Sequence, residues 1–510
     1  MNTMGLLGVA TSTIIGAFLT VVLSAGVVFL VLLAVVMLVR SLQSKEASQV
    51  STKEQEGTVK ENALGMNPAT ALCFIVLLGA VARLLFGMFI KGDSIFFARV
   101  VYDAKGMANG VSYYPGGKQF PLAYYIFGFF GGILTGGSEG IATQVALKLP
   151  LILADIGTTI LLYKIGKKYE NAKVGLILAL LYSFNPLFVW STAMASSVVA
   201  LVIFVLFFAF YMLVSRKYMA FVALYFCAIL LDRSALLFAA PVAMYLLYLF
   251  FKGIKLCKTK GFEDIMNDPG RAVVIYLPLC VLGGFFASML ITLPLMPAGQ
   301  REVFGVFGQV WEASIKGNGY FGQNALNIFN LFLRNGVPFG DAFPSTGVFV
   351  VFFLLAFGIA IILYLSKKNR ANFVLIATFV ALTVALYYID NNAFTALPAI
   401  ALLLLCYVLI KDKRLLVCFG LFCLVFFVNG IASQIHSDSF SKTTGNGLLD
   451  YQVEGGALVL SILCTIVALV VHIYLVVVTL DICMSNRVKE LTKDSTATAG
   501  QCLKSLFSNK

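Results

Sequence analysis

Residues 69–90, ATALCFIVLLGAVARLLFGMFI, form one apolar run, and residues 91–125, KGDSIFFARVVYDAKGMANGVSYYPGGKQFPLAYY, follow it as a long polar and aromatic loop. The run indicates the fold class, because ~20 consecutive apolar residues are typical of a transmembrane helix. The loop begins with a carboxylate, Asp93, where this helix should leave the bilayer. A loop of this kind favours an enzyme over a channel or a carrier.

The composition extends this interpretation to the whole chain. It is 60% hydrophobic and 12% charged, whereas soluble domains are nearer half apolar and a quarter charged. About 13 apolar runs (12–14) predict an all-α polytopic membrane protein with an amphipathic or re-entrant helix in its first outer loop. The runs are 11–39, 69–90, 144–163, 174–190, 195–214, 218–231, 235–251, 273–296, 348–365, 371–389, 393–410, 415–432 and 457–483.

The basic residues predict the orientation, because Lys and Arg collect in cytoplasmic loops. If the first run crosses from outside to inside, the inward segments hold 26 of the 37 Lys and Arg residues and the outward loops about nine. The net charge of +13 is thereby explained without nucleic acid. The segments predicted to be cytoplasmic are 40–68, 164–173, 215–217, 252–272, 366–370, 411–414 and 484–510, and the outer loops are 91–143, 297–347 and 433–456.

The predicted organisation is one integral domain, 69–483, with additions at both ends. Residues 1–40 form an extra N-terminal anchor, residues 41–68 a cytoplasmic linker, and residues 484–510 a cytoplasmic tail. The apolar segment 120–135 is short and rich in glycine, so we expect a helix that lies in or dips into the outer interface. All ten cysteines fall in spans or cytoplasmic segments, which predicts no disulfide framework.

The order of motifs from residue 69 to about residue 340 resembles the GT-C superfamily of integral-membrane glycosyltransferases, bacterial mannosyltransferases among them. One departure from the family pattern is AMASS at 193–197, where a Gln and an Asp are usual. The motifs, in chain order, are Asp93, FFARVVYDAKGMANG (96–110), YYP (113–115), FPLAYY (120–125), LKLP (147–150) followed by Asp155, SFNPLFVWSTA (183–193), DRSALLFAAP (232–241) and QNALNIF (323–329).

This resemblance implies an inverting glycosyltransferase in the plasma membrane, with its active site on the outer face. The donor would be a polyprenyl-phosphate hexose, and the acceptor hydroxyl would belong to a lipid-, polymer- or protein-linked glycan. Asp93 would be the catalytic base, as the first acidic residue of the loop is in the family. The alternative for Asp93 is a helix N-cap before Ser94. No nucleotide is needed, since the sugar-phosphate bond is already activated.

Basic residues on the outer side are candidates to bind the donor phosphate: Lys148, Arg233, Arg301 and Lys118. The alternative is that they snorkel to the interface. Candidates for sugar or acceptor contacts are Asp103, Tyr113, Tyr114, Tyr124, Tyr125 and Asn324, although an interfacial aromatic belt also accounts for the tyrosines.

Three further sets of polar residues have structural interpretations. Asp155 lies near the middle of a span, where we expect it to pair inside the bundle. His472 is expected to be a satisfied core residue. The residues His436, Asp438, Asp450 and Glu454 could bind a divalent cation, but their spacing is not that of a metal signature, so we expect no cofactor. Two other functions stay open: a transporter or flippase of a lipid-linked glycan, and a glycan polymerase or ligase.

Overall fold

The computed structural model describes residues 67–89, 105–106, 120–136, 141–257, 269–293, 325–331, 354–361, 369–388, 392–444 and 455–485. These residues are almost wholly helical, and they include no β-strand. The helices are α1 (Pro68–Phe89), α2 (Pro121–Phe127), α3 (Ile141–Tyr169), α4 (Ala172–Ser183), α5 (Pro186–Val189), α6 (Val199–Val214), α7 (Tyr218–Leu231), α8 (Ala239–Cys257), α9 (Pro269–Thr292), α10 (354–361), α11 (Arg370–Tyr387), α12 (Leu397–Ile410), α13 (Lys413–Thr444) and α14 (Gly455–Met484).

The all-helical, polytopic class predicted from the apolar runs is confirmed. Seven of the described helices are long and apolar enough to cross a membrane, or eight if one bent pair is a single span. The predicted total of 13 is not confirmed. Of the predicted anchor (1–40), linker (41–68) and tail (484–510), residues 1–66 and 486–510 lie outside the described residues.

Two predicted elements differ from the structure. The run 174–190 is not one straight helix, because α4 and the helix that begins at Pro186 meet at an angle of 48°. The segment 433–456 is not all loop, since α13 continues to Thr444. Hydropathy cannot detect either difference: Asn185 and Pro186 break an apolar run, and the end of α13 is a polar helix.

The burial of the helices separates a centre from a periphery. In the 18-residue apolar stretch of α11, 94% of the residues are buried inside the bundle. The corresponding stretches of α1 and α9 are 22% and 17% buried. Helices that are apolar on all sides suit both places, because lipid tails are as apolar as a protein core. The outer helices therefore expose large apolar side chains, such as Leu77 on α1 and Phe286 on α9.

The hairpin of α3 and α4 depends on two glycines. A Cβ atom on Gly166 would lie 2.6 Å from the Cα of Gly175, and one on Gly175 would lie 2.5 Å from the carbonyl oxygen of Tyr163. Helices in membranes approach this closely only where small residues face each other. The turn between them is closed by Asn171, whose side chain accepts a hydrogen bond from the backbone N–H of Val174.

The segment predicted as an interfacial helix is helical in the structure. Helix α2 continues as a π-helix, Gly128–Ile133, and together they are shorter than a membrane span. One face, with Ala123 and Phe127, is buried, while Phe129 and Ile133 are exposed. Its position in the interface stays a prediction.

Candidate functional site

The break between α4 and α5 leaves polar backbone groups inside an apolar bundle. Helix α4 ends at Ser183, and the next helix starts at Pro186 with Asn185 as its N-cap. The Asn185 side chain accepts a hydrogen bond from the N–H of Leu187 at 3.0 Å. Proline suits the first helical position because its missing N–H would have no partner there. The last carbonyls of α4 then need donors, since the membrane interior offers no water.

Arg83 of α1 supplies such a donor. Its Nη1 donates hydrogen bonds to the carbonyl oxygen of Ser183 at 2.7 Å and to that of Gly79 at 3.2 Å. The arginine is 1% exposed. A cation at the C-terminal end of a helix also interacts favourably with the helix dipole. Arg83 therefore caps α4 in the interior of the bundle.

Asp155 of α3 balances the charge of Arg83 and joins both halves of the broken span. Its Oδ2 accepts hydrogen bonds from Arg83 Nε at 2.8 Å and Thr192 Oγ1 at 2.6 Å, and its Oδ1 accepts one from the Tyr182 hydroxyl at 2.7 Å. Tyr182 belongs to α4, and Thr192 lies after α5. The predicted internal pairing of Asp155 is confirmed. We refer to Arg83, Asp155, Tyr182, Ser183 and Thr192 as the Arg83–Asp155 cluster.

A glycine allows α1 to approach the break. A Cβ atom on Gly79 would lie 2.1 Å from the Ser183 hydroxyl oxygen. Gly79 precedes Arg83 by four residues, so the two lie on the same face of α1. The glycine brings the backbones together, and the arginine then reaches the end of α4.

Lys148 lies seven residues before Asp155 on α3, two turns along the same face. It is fully buried, and its Nζ donates a hydrogen bond to the carbonyl oxygen of Gly87 on α1 at 3.1 Å. The contacts Arg83–Asp155 and Gly87–Lys148 thus follow one another along the antiparallel pair of α1 and α3. Lys148 lies inside the bundle and does not snorkel to its surface. Its predicted role in phosphate binding stays a prediction.

The other described candidates lie on separate elements. Arg233 begins a 3₁₀-helix, Arg233–Phe238, directly after Asp232, whose side chain accepts a hydrogen bond from the N–H of Ser234. Tyr124 is buried on α2. The Tyr125 hydroxyl donates to the carbonyl oxygen of Ile291 at 2.9 Å and so joins α2 to α9.

The remaining predicted site residues lie outside the described residues: Asp93, Asp103, Tyr113, Tyr114, Lys118, Arg301 and Asn324. Asp450 and Glu454, which were predicted in the last outer loop, also lie outside the described residues. His436 and Asp438 lie within helix α13. Among the side chains that the structure places, no group of three His, Cys, Asp or Glu could hold a metal ion.

Two asparagines, Asn327 of the motif QNALNIF and Asn330 directly after it, have buried positions that the sequence did not lead us to expect. Asn330 donates from its Nδ2 to the carbonyl oxygen of Ala325 at 2.6 Å and to Thr465 Oγ1 on α14 at 3.2 Å. Asn327 is 1% exposed, and its Oδ1 accepts a hydrogen bond from the N–H of Asn330. The signal was present, since two asparagines three residues apart in an apolar segment are typical of a capped turn.

His472 of α14 is the core residue that was predicted. Its Nε2 lies 2.9 Å from Thr383 Oγ1, and its ring stacks on Phe379 with the ring centroids 5.6 Å apart. It is 4% exposed. Four interior polar residues of the described bundle contact protein groups: Arg83 with Asp155, Lys148 with Gly87, Arg370 with the carbonyl oxygen of Val214, and His472 with Thr383. Other buried atoms, such as Arg83 Nη2 and Asn327 Nδ2, have no hydrogen-bond partner among the described residues.

One protein family matches the chain by sequence. The family is described as the GPI transamidase subunit PIG-U, and the match covers residues 97–300, which is 204 of the 510 residues. This region contains α2 to α9, and with them the broken span, Asp155, Lys148 and Arg233. No curated protein matches the chain.

Solved structures of membrane proteins show a distant likeness. ArnT from Cupriavidus metallidurans, bound to undecaprenyl phosphate, is 13% identical with a TM-score of 0.38, and the match covers 79% of this chain and 77% of ArnT. The oligosaccharyltransferase from Archaeoglobus fulgidus in the apo form is 13% identical with a TM-score of 0.39, over 83% of this chain and 57% of that enzyme. Such low values carry no information on chemistry.

Proposed function

We propose that the chain is a membrane-embedded subunit that holds a glycolipid for a partner enzyme, as part of a complex of the GPI transamidase kind. The observation that carries the proposal is the match of residues 97–300 to the GPI transamidase subunit PIG-U. The ligand class is a glycosylphosphatidylinositol, which has phosphate groups, a sugar chain and a lipid anchor.

The interior of the described bundle supports a binding role over catalysis. Arg83 and Asp155 contact each other, although Arg83 Nη2 has no hydrogen-bond partner among the described residues, and Lys148 contacts the Gly87 carbonyl. A general base needs a carboxylate that can reach a substrate proton, whereas Asp155 accepts three hydrogen bonds from protein side chains. The segment AMASS at 193–197 also has no acidic or amide side chain. In this proposal, Lys148 and Arg233 remain candidates to contact the ligand phosphates, on the face opposite the Lys- and Arg-rich segments.

The second candidate function is hexose transfer from a polyprenyl-phosphate sugar on the outer face of the membrane. The observation that favours it is Asp93 at the end of the apolar run 69–90, followed by the aromatic segment FPLAYY. Asp93 would take the proton of the acceptor hydroxyl while that oxygen attacks the anomeric carbon. The bond from this carbon to the phosphate oxygen would break, with inversion, and polyprenyl phosphate would leave.

A rescue experiment with Asp93→Asn separates the two functions. We would deplete the native protein and restore it with wild type or Asp93→Asn at equal protein level. Surface GPI-anchored protein, free glycolipid and polyprenyl-phosphate sugars would then be measured by flow cytometry and mass spectrometry. We expect depletion to lower the surface anchors and raise free glycolipid, and Asp93→Asn to restore both.

Failure of Asp93→Asn to rescue, with accumulation of one polyprenyl-phosphate sugar, would favour the glycosyltransferase. Depletion that leaves surface anchors and free glycolipid unchanged would overturn the subunit proposal. Purification of the full chain from native membranes provides a second measurement. We expect other subunits to co-purify in fixed proportion with wild type and with Asp93→Asn.

A further inference from the structure

An apolar groove lies between α8, α10 and α11, away from the broken span. Its walls include Pro241 and Tyr245 of α8, Phe357 of α10, and Phe373 of α11, and it is an open groove with a cavity volume of about 50 Å³. Tyr245 stacks on Phe373 with the ring centroids 4.3 Å apart. The groove therefore has a fixed, carbon-rich wall of aromatic rings.

The groove lies beside the apolar outer surface of the bundle. Leu247 and Phe251 of α8 are 52% and 63% exposed, and Leu355 of α10 is 59% exposed. In a membrane, such side chains face acyl chains. A hydrocarbon chain can therefore approach the groove from the bilayer without crossing a polar region.

One face of α8 changes from apolar to basic along its length. Pro241, Tyr245 and Tyr248 line the groove, and Lys252 and Lys255 continue the same face with helical spacings of four and three residues. Both lysines are exposed. The Lys252 ammonium lies 6.0 Å from the centroid of the Tyr248 ring. The apolar groove and two cations thus form one continuous stripe.

The length of the stripe matches one leaflet of a bilayer. Fourteen residues separate Pro241 from Lys255, and a rise of ~1.5 Å per residue gives about 21 Å. Half of a bilayer, headgroups included, is about 20–22 Å thick. An acyl chain in the groove would therefore place its headgroup beside the lysines.

We propose that this stripe binds an anionic phospholipid of the leaflet that contains Lys252 and Lys255. The acyl chain occupies the groove between α8, α10 and α11, and the lysines contact the negative headgroup. The position is independent of the proposed glycolipid site, which involves Lys148 and Arg233. The bound lipid would be a resident of the protein and not its substrate.

The test uses the full chain in bilayer nanodiscs of equal parts phosphatidylcholine and phosphatidylserine. Lipids retained after transfer to mild detergent would be identified by native mass spectrometry. We expect retention of phosphatidylserine over phosphatidylcholine, and Lys252→Gln and Lys255→Gln should each weaken this preference roughly fivefold, since a basic residue near the surface contributes about 1 kcal/mol. Lys413→Gln, at an exposed lysine that does not line the groove, is the matched control and should change nothing.

A second variant tests the groove itself. Ala360 of α10 lines it, and Ala360→Leu should fill part of the space and lower the retention of both lipids. Equal retention of the two lipids by wild type, or a loss in Lys413→Gln as large as in Lys252→Gln, would overturn the proposal. Retention of a glycolipid or a polyprenyl lipid that co-purified with the chain, in place of phosphatidylserine, would assign the groove to another occupant and also refute the proposal.

Discussion

Asp155 is a single carboxylate with three side-chain partners on three other elements. Through Arg83, Tyr182 and Thr192 it connects α1, α3 and both halves of the broken span. A buried ion pair is not by itself stabilising, because both charges lose their hydration. Removal of one partner is costly, however, since the other charge stays buried without compensation.

We therefore predict that Asp155→Ala lowers the free energy of unfolding by about 3–5 kcal/mol. The double variant Arg83→Met with Asp155→Leu should lose less than Asp155→Ala alone, because it leaves no unpaired charge. Unfolding by denaturant in detergent micelles would measure both values. Glu170→Ala is the control: its ion pair with the largely exposed Lys411 should contribute at most about 1 kcal/mol. A double variant less stable than the single one would contradict this account.

At the scale of elements, the packing of α3 against α4 has no room for a side chain at Gly166. The Cβ of an alanine there would lie 2.6 Å from the Cα of Gly175, so the two helices would have to separate. Gly283 of α9 is a helical glycine whose added Cβ would meet no atom within 4 Å. Both glycines are helical, but only Gly283 has room for a Cβ atom.

Gly166→Ala should accordingly destabilise the protein by about 1–3 kcal/mol, the usual cost of an overpacked contact. Gly283→Ala should be neutral or stabilising by up to about 1 kcal/mol, since alanine favours helix over glycine. Thermal unfolding in detergent would give the two changes in Tm, which we expect to have opposite signs. A decrease of the same size at both positions would show that the close approach of α3 and α4 does not limit stability.

At the scale of the whole molecule, the basic residues predict which ends of the helices face the cytoplasm. Lys252, Lys255, Lys413 and Arg414 then lie on the cytoplasmic side, and the loop 91–143 lies on the opposite side. The contacts between helices agree with short connections between antiparallel neighbours, such as α3 and α4. The side of the membrane on which each connection lies is predicted from the basic residues alone.

We predict that an Asn-Xaa-Thr acceptor inserted within residues 107–119 is glycosylated when the chain is expressed in a eukaryotic host, whereas the same insertion within residues 258–268 is not. The mobility shift that glycosidase removes would report each result. Glycosylation of the second position alone would invert the orientation, and with it the face on which we place Asp93.

The apolar runs by themselves determined the helical, membrane-embedded class and the approximate positions of most helices. They did so because a segment of ~20 apolar residues has few stable structures other than a helix in a bilayer. The same pattern located α7 at 218–231, and it identified Asp155 and His472 as interior residues that need partners.

Only the tertiary structure decided which partners those residues have. Arg83 and Asp155 are 72 residues apart in the chain, and hydropathy contains no information on which helices become neighbours. The bend at Asn185 and Pro186 likewise has meaning only where Arg83 is present to cap α4. The groove beside α8 is lined by three helices that are far apart in the sequence. Its walls form only when these helices pack together, so no local sequence pattern predicts it.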